Sequence, residues 1–123
     1  MVKKILIADD EPNIVISLEF LLKREGYEVV VAHNGVQALE RIREQRPDMA
    51  ILDVMMPQRN GFEVCQDLRQ DPEFKDLRIM MLTAKGRDTE VSKGLALGAD
   101  VYMTKPFATK ELIAKVKALI DRA

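Results

Sequence analysis

Met49-Ala50-Ile51-Leu52-Asp53-Val54 is an apolar run carrying a single acid near its end. A strand with one wet face alternates apolar and polar residues. A strand covered on both faces reads as a continuous apolar run, as in parallel sheets. Met49–Val54 is of the second kind and predicts a central strand with Asp53 near its carboxyl end.

Four other short runs flank it: Lys4–Ala8, Glu28–Ala32, Ile79–Thr83 and Val101–Met103. Most are also continuously apolar. Longer amphipathic stretches lie between them. The first begins at Pro12, which suits the opening position of a helix, with Asp10 or Glu11 available as its cap. Ile14, Leu18, Leu21 and Leu22 then share one face, and Gly26 provides a stop. Further helices are predicted over Val36–Gln45 before Pro47, Gly61–Gln70 before Pro72, Asp88–Leu97 before Gly98, and Thr109–Asp121. The last places Leu112, Ile113, Val116, Leu119 and Ile120 on one side. Strand then helix, five times over, predicts an α/β fold: a parallel sheet with helices on both faces. With 123 residues and no visible linker, repeat or low-complexity tract, residues 1–123 read as one domain.

In such sheets, ligands bind beyond the carboxyl ends of the strands, where the strand order reverses. Asp9 and Asp10 end the first run, Asp53 lies near the end of the third, Thr83 ends the fourth and Lys105 follows the fifth. The topology brings all five to one rim. Crowded carboxylates repel, and one would hold a proton unless a cation intervened. Hard oxygen donors suit magnesium, which takes few protein carboxylates and accepts phosphate oxygens. Asp10 is expected as a direct ligand and Asp9 as one acting partly through water. The Met55-Met56-Pro57 turn can aim a backbone carbonyl, that of Met55, at the ion. Asp53 stands alone on a central strand and is the best nucleophile. Lys105 brings a fixed positive charge and Thr83 a hydroxyl donor. This set suits phosphoryl transfer to an aspartate, a reaction that depends on positioning and charge neutralisation.

Over its full length the chain resembles a response-regulator receiver domain of two-component signalling systems. The resemblance rests on Ile7-Ala8-Asp9-Asp10-Glu11-Pro12, Leu52-Asp53-Val54-Met55-Met56-Pro57, Leu82-Thr83-Ala84 and Lys105-Pro106-Phe107, with roughly thirty residues from the Asp to the Thr. It implies a flavodoxin-like fold with a five-stranded sheet in order 2-1-3-4-5, and magnesium dependence. It implies a phosphoryl group received on Asp53 from a sensor histidine kinase or a histidine phosphotransfer domain. It implies a cis peptide at Lys105-Pro106. It also pairs Thr83 with Tyr102 as a switch that reshapes the surface of the fourth helix, fifth strand and fifth helix. Such a module is a signalling acceptor rather than an enzyme, catalysing only its own phosphorylation and dephosphorylation.

Two departures qualify that picture. Met55 and Lys85 occupy positions that tune dephosphorylation in this family, and a bulky apolar group with a long basic one predicts slow hydrolysis. Receivers of winged-helix transcription factors carry two acids before the switch tyrosine. Here the pair is Asp100-Val101, so the salt-bridged dimer of that subfamily lacks one acid. Dimerisation on phosphorylation stays open, and so does the output, whether an attached domain or a downstream protein.

Net charge is −1, from 19 basic and 20 acidic residues. That balance leaves no electrostatic footprint for nucleic acid. No apolar stretch approaches a membrane span, and the short apolar run after Lys4 is no signal peptide. A single Cys excludes an internal disulfide and fits a cytoplasmic location. Cys65, Met80, Met81 and Met103 read as core, and His33 as a surface residue. Lys110, Lys115 and Lys117 read as a solvated face or a docking patch. A magnesium phosphatase would place two acids two residues apart on one strand, and a flavin module would need a phosphate-cradling loop instead of Asp9-Asp10-Glu11.

Overall fold

The computed structural model describes residues 2–84 and 97–121. The order is β1 (Lys4–Ala8), α1 (Pro12–Arg24), β2 (Glu28–Ala32), α2 (Gly35–Gln45), β3 (Met49–Asp53), α3 (Gly61–Gln70), β4 (Arg78–Ala84), β5 (Val101–Lys105) and α4 (Thr109–Ile120). The helix predicted over Asp88–Leu97 lies outside the described residues, except for Leu97, which sits in a turn. Lys85 also lies outside them.

All five strands are parallel, in the order β2-β1-β3-β4-β5. Alternate residues of each strand serve opposite faces. Leu6, Ala50, Leu52, Ile79 and Met81 pack on one side with Leu39, Ile42, Phe62, Cys65 and Leu68 of α2 and α3. Ile5, Ile7, Ile51, Met80 and Leu82 pack on the other with Leu18 and Leu22 of α1 and Leu112 and Val116 of α4. The unbroken apolar runs therefore have the expected cause, two covered faces. The central strand β3 is buried at every position.

The boundaries follow local chemistry. Pro12 opens α1, and its exit runs through Gly26 at φ 93. That left-handed conformation costs glycine little. Val15 is buried in α1, whereas Ile14 is only partly so. Asn60 and Glu63 close a reciprocal capping box at the start of α3. β4 and β5 run past the predicted ends, to Ala84 and Lys105, which pair with each other. Thr83 and Lys105 are thus held by ladder hydrogen bonding instead of hanging in loops.

Two close approaches fix the loop between β3 and α3. A Cβ on Gly35 would overlap the carbonyl oxygen of Arg59, and one on Gly61 would lie 2.5 Å from that of Asp53. Only glycine allows the loop to settle against the start of α2 and α3 to start directly behind Asp53.

Candidate functional site

The strand order reverses between β1 and β3, and the acids gather there. Asp9 follows β1 and is fully buried, and Asp53 ends β3 with 4% exposure. Asp10 and Glu11 lead into α1 and are exposed. One carboxylate oxygen from each of Asp9, Asp10, Glu11 and Asp53 falls within 4.8 Å of the others. An open cleft of about 260 Å³ is lined by Asp10, Glu11, Asp53, Met55 and Lys105.

Lys105 reaches in from the end of β5. Its ammonium is 2.9 Å from Asp9 Oδ2, 2.9 Å from Glu11 Oε1 and 3.4 Å from Asp53 Oδ1. The Glu11 contact is a well-directed hydrogen bond. The Asp9 contact is an ion pair off the hydrogen-bonding direction, and Asp9 Oδ2 is buried without a well-aligned donor among the described residues. The other oxygen, Oδ1, accepts the Glu11 amide at 2.9 Å, so Asp9 itself organises the entry to α1. Glu11 occupies the cap position but makes no side-chain cap bond. Its carboxylate turns to the cleft instead.

Burial pushes the Asp53 carboxyl up from 3.8 to about 7; the Asp9 charge adds to this, and Lys105 opposes both. Asp53 thus sits where a negative charge is poorly tolerated until more positive charge arrives. Burial pulls the Lys105 ammonium down, but its contacts with Glu11 and Asp9 and the charge of Asp53 outweigh that, and its pKa lies above the ordinary 10.5.

The donor set suits a hard divalent cation. All the candidate ligands are oxygens, they converge within one small volume, and the buried Asp9 Oδ2 lacks a well-directed partner among the described residues. Met55 lies at the cleft wall with its side chain exposed, and its amide points to Asp53 Oδ1 at 3.4 Å.

Thr83 is 1% exposed, one residue beyond Leu82, the register partner of Asp53. Tyr102 pairs with Met81 across β4 and β5 and is partly buried against the cluster that includes Met81. Strand alternation puts Thr83 on the Met81 face as well. Thr83 and Tyr102 therefore line one side of the sheet. Lys105-Pro106 is cis, as the resemblance implied.

Glu11 is the residue that sequence reasoning left out of the site. Its signal was the third acid of Asp9-Asp10-Glu11, which read as a helix cap. Its partner Lys105 lies 94 positions away, and no local pattern reports such a contact.

The family model for the response regulator receiver domain matches residues 5–117. The chain belongs to the response regulator receiver family. This receiver shares 38% identity with a chain described as a response regulator from Chloroflexus aurantiacus, covering 99% of this chain and 100% of that one at a TM-score of 0.96. It is 32% identical to a chemotaxis response regulator of Vibrio cholerae, with coverage of 97% and 99% and a TM-score of 0.91. It is 31% identical to the signal receiver domain of a signal transduction histidine kinase from Syntrophus aciditrophicus, with coverage of 99% and 95% and a TM-score of 0.91. The receiver is thus a signalling module on a flavodoxin-like fold, and none of its described helices is long and apolar enough to cross a membrane.

Proposed function

We propose that this receiver takes a phosphoryl group onto Asp53 from a phosphohistidine on a sensor histidine kinase or histidine phosphotransfer domain, as the acceptor of a two-component system. The observation that supports this most is the Asp53 carboxyl itself. It is buried at a cleft, pressed by Asp9 and faced by Lys105. A carboxylate oxygen of Asp53 attacks phosphorus in line with the bond that breaks, and the donor imidazole leaves with its electron pair and takes a proton. Lys105 stabilises the charge spread over the phosphoryl oxygens. Thr83 donates its hydroxyl to one of those oxygens.

Asp9, Asp10 and Asp53, with the Met55 carbonyl, would hold magnesium, which neutralises charge on the acids and on the incoming phosphoryl group. Tyr102 follows Thr83 inward, and the surface around β5 and α4 changes shape for the partner that reads it. The domain is an acceptor rather than an enzyme turning over small molecules, and its place of work is the cytoplasm, beside its kinase. Residues 1–123 act as one receiver unit. By residue type alone, a bulky apolar Met55 and a long basic Lys85 point to slow hydrolysis, so the phosphoryl group persists, and a half-life of seconds in the purified protein would contradict that.

Incubation with magnesium and a small acyl phosphate tests the reading. Intact mass should show one added phosphoryl group on the wild type and none on Asp53→Asn. Steady release of phosphate from ester substrates would point to a phosphatase instead.

A further inference from the structure

Lys105 is shared among three carboxylates, and the sharing is unequal. Glu11 and Asp9 sit at 2.9 Å, Asp53 at 3.4 Å. Of these three, the Glu11 contact is the well-directed hydrogen bond, while Asp9 and Asp53 make ion pairs with the ammonium. Asp9 is buried, and its Oδ1 accepts the Glu11 amide. The Glu11 side chain is 59% exposed, lies at the entrance to α1 and has no capping duty. It is the one exposed partner of the three. An incoming phosphoryl group needs the ammonium at its own oxygens, on the Asp53 side of the cleft. Each contact with Glu11 draws the ammonium the other way.

We infer that Glu11 is a positioning residue that restrains Lys105 in the resting receiver and sets how fast Asp53 accepts a phosphoryl group. The role rests on the acceptor reading of Asp53. The pair is largely exposed at its Glu11 end, which bounds its strength. Exposed ion pairs are worth up to about 1 kcal/mol, so release of the restraint should accelerate acceptance by about three- to fivefold. The pairing also gives Glu11 a part in deciding when Lys105 is free: any charge that draws Glu11 into the acidic cluster loosens its hold on the ammonium.

Charge alone provides a rival explanation, because removing any acid near the cleft eases the approach of an anionic donor. Two variants separate them. Glu11→Gln removes the charge, whereas Glu11→Asp keeps it but shortens the reach to Lys105. Acceptance from a small acyl phosphate is followed at saturating magnesium, with magnesium affinity measured separately by calorimetry. The Lys105 ammonium is followed in metal-free protein by nitrogen-15 NMR.

Both variants should accept about three- to fivefold faster than wild type, and both should speed solvent exchange of the Lys105 ammonium protons. Acceleration in Glu11→Gln alone would assign the effect to charge and overturn the restraint. A tenfold loss of magnesium affinity in both, with no gain in rate at saturation, would make Glu11 a metal ligand and overturn it too. Failure of the acceptor reading shows differently: the wild type itself would take no phosphoryl group.

Discussion

The surroundings of Asp53, the proposed acceptor, make its charge uncomfortable. Burial, with the Asp9 charge adding to it, pushes its carboxyl up from 3.8 to about 7. Between those values the folded state holds a proton that the unfolded state has lost, so stability falls as pH rises across that window. Asp53→Asn removes the penalty. In metal-free protein at pH 8 that variant should unfold about 1–3 kcal/mol later than wild type in urea, with the gain vanishing below pH 4. A variant no more stable than wild type at pH 8 would contradict the strained carboxyl. Glu11 belongs to the same scale. The sequence announces Asp9, Asp10, Asp53, Thr83 and Lys105, because each lies at or just past the end of a strand and strand ends can be read from the pattern. Glu11 follows those acids directly, and its role depends on a contact 94 positions distant. Spacing rules do not report that.

At the scale of elements, the cleft is held by tight packing behind it. Gly35 and Gly61 let the β3–α3 loop lie against α2 and the back of Asp53. Gly61→Ala should cost about 1–3 kcal/mol through overpacking and should slow acceptance, since relief of the clash moves Asp53. Urea unfolding and acyl-phosphate labelling on the same variant check both parts. A second brace sits below β5. Arg69 donates to the carbonyls of Gly98, Lys75 and Leu77 and to Asp100, whose carboxylate also accepts the Ile79 amide. The acid before Val101 is therefore engaged within its own chain, two residues before Tyr102. Asp100→Ala should destabilise by about 1–3 kcal/mol, because a partly buried amide and a guanidinium lose a partner together. Among the described residues, the helices and strands were legible from periodicity to within a residue or two. β4 and β5 outran their predicted ends because Ala84, Thr104 and Lys105 pair by ladder bonds, which no apolar pattern marks.

At the scale of the whole molecule, one sheet divides two cores and delivers its polar groups to one edge. Alternation along β1, β3 and β4 feeds both cores from the same strands. The acids that collect at the edge repel, and a divalent cation would relieve them. Magnesium at about a hundredfold excess over its Kd should stabilise the fold by roughly 2–3 kcal/mol. Asp9→Asn should lose most of that gain. A thermal midpoint indifferent to magnesium in the wild type would contradict a metal site. The family itself was legible because four short motifs recur at the correct strand ends. The output surface was not, because it depends on a partner outside this chain.

The most direct test traps the phosphoryl group where it sits. Borohydride reduces an acyl phosphate to an alcohol, which converts a phosphorylated aspartate to homoserine. After labelling with an acyl phosphate and magnesium, reduction and peptide mapping should find homoserine at position 53 alone. Homoserine at Asp9 or Asp10, or a phosphoryl group that survives reduction on another residue, would contradict the assignment of Asp53 as the acceptor.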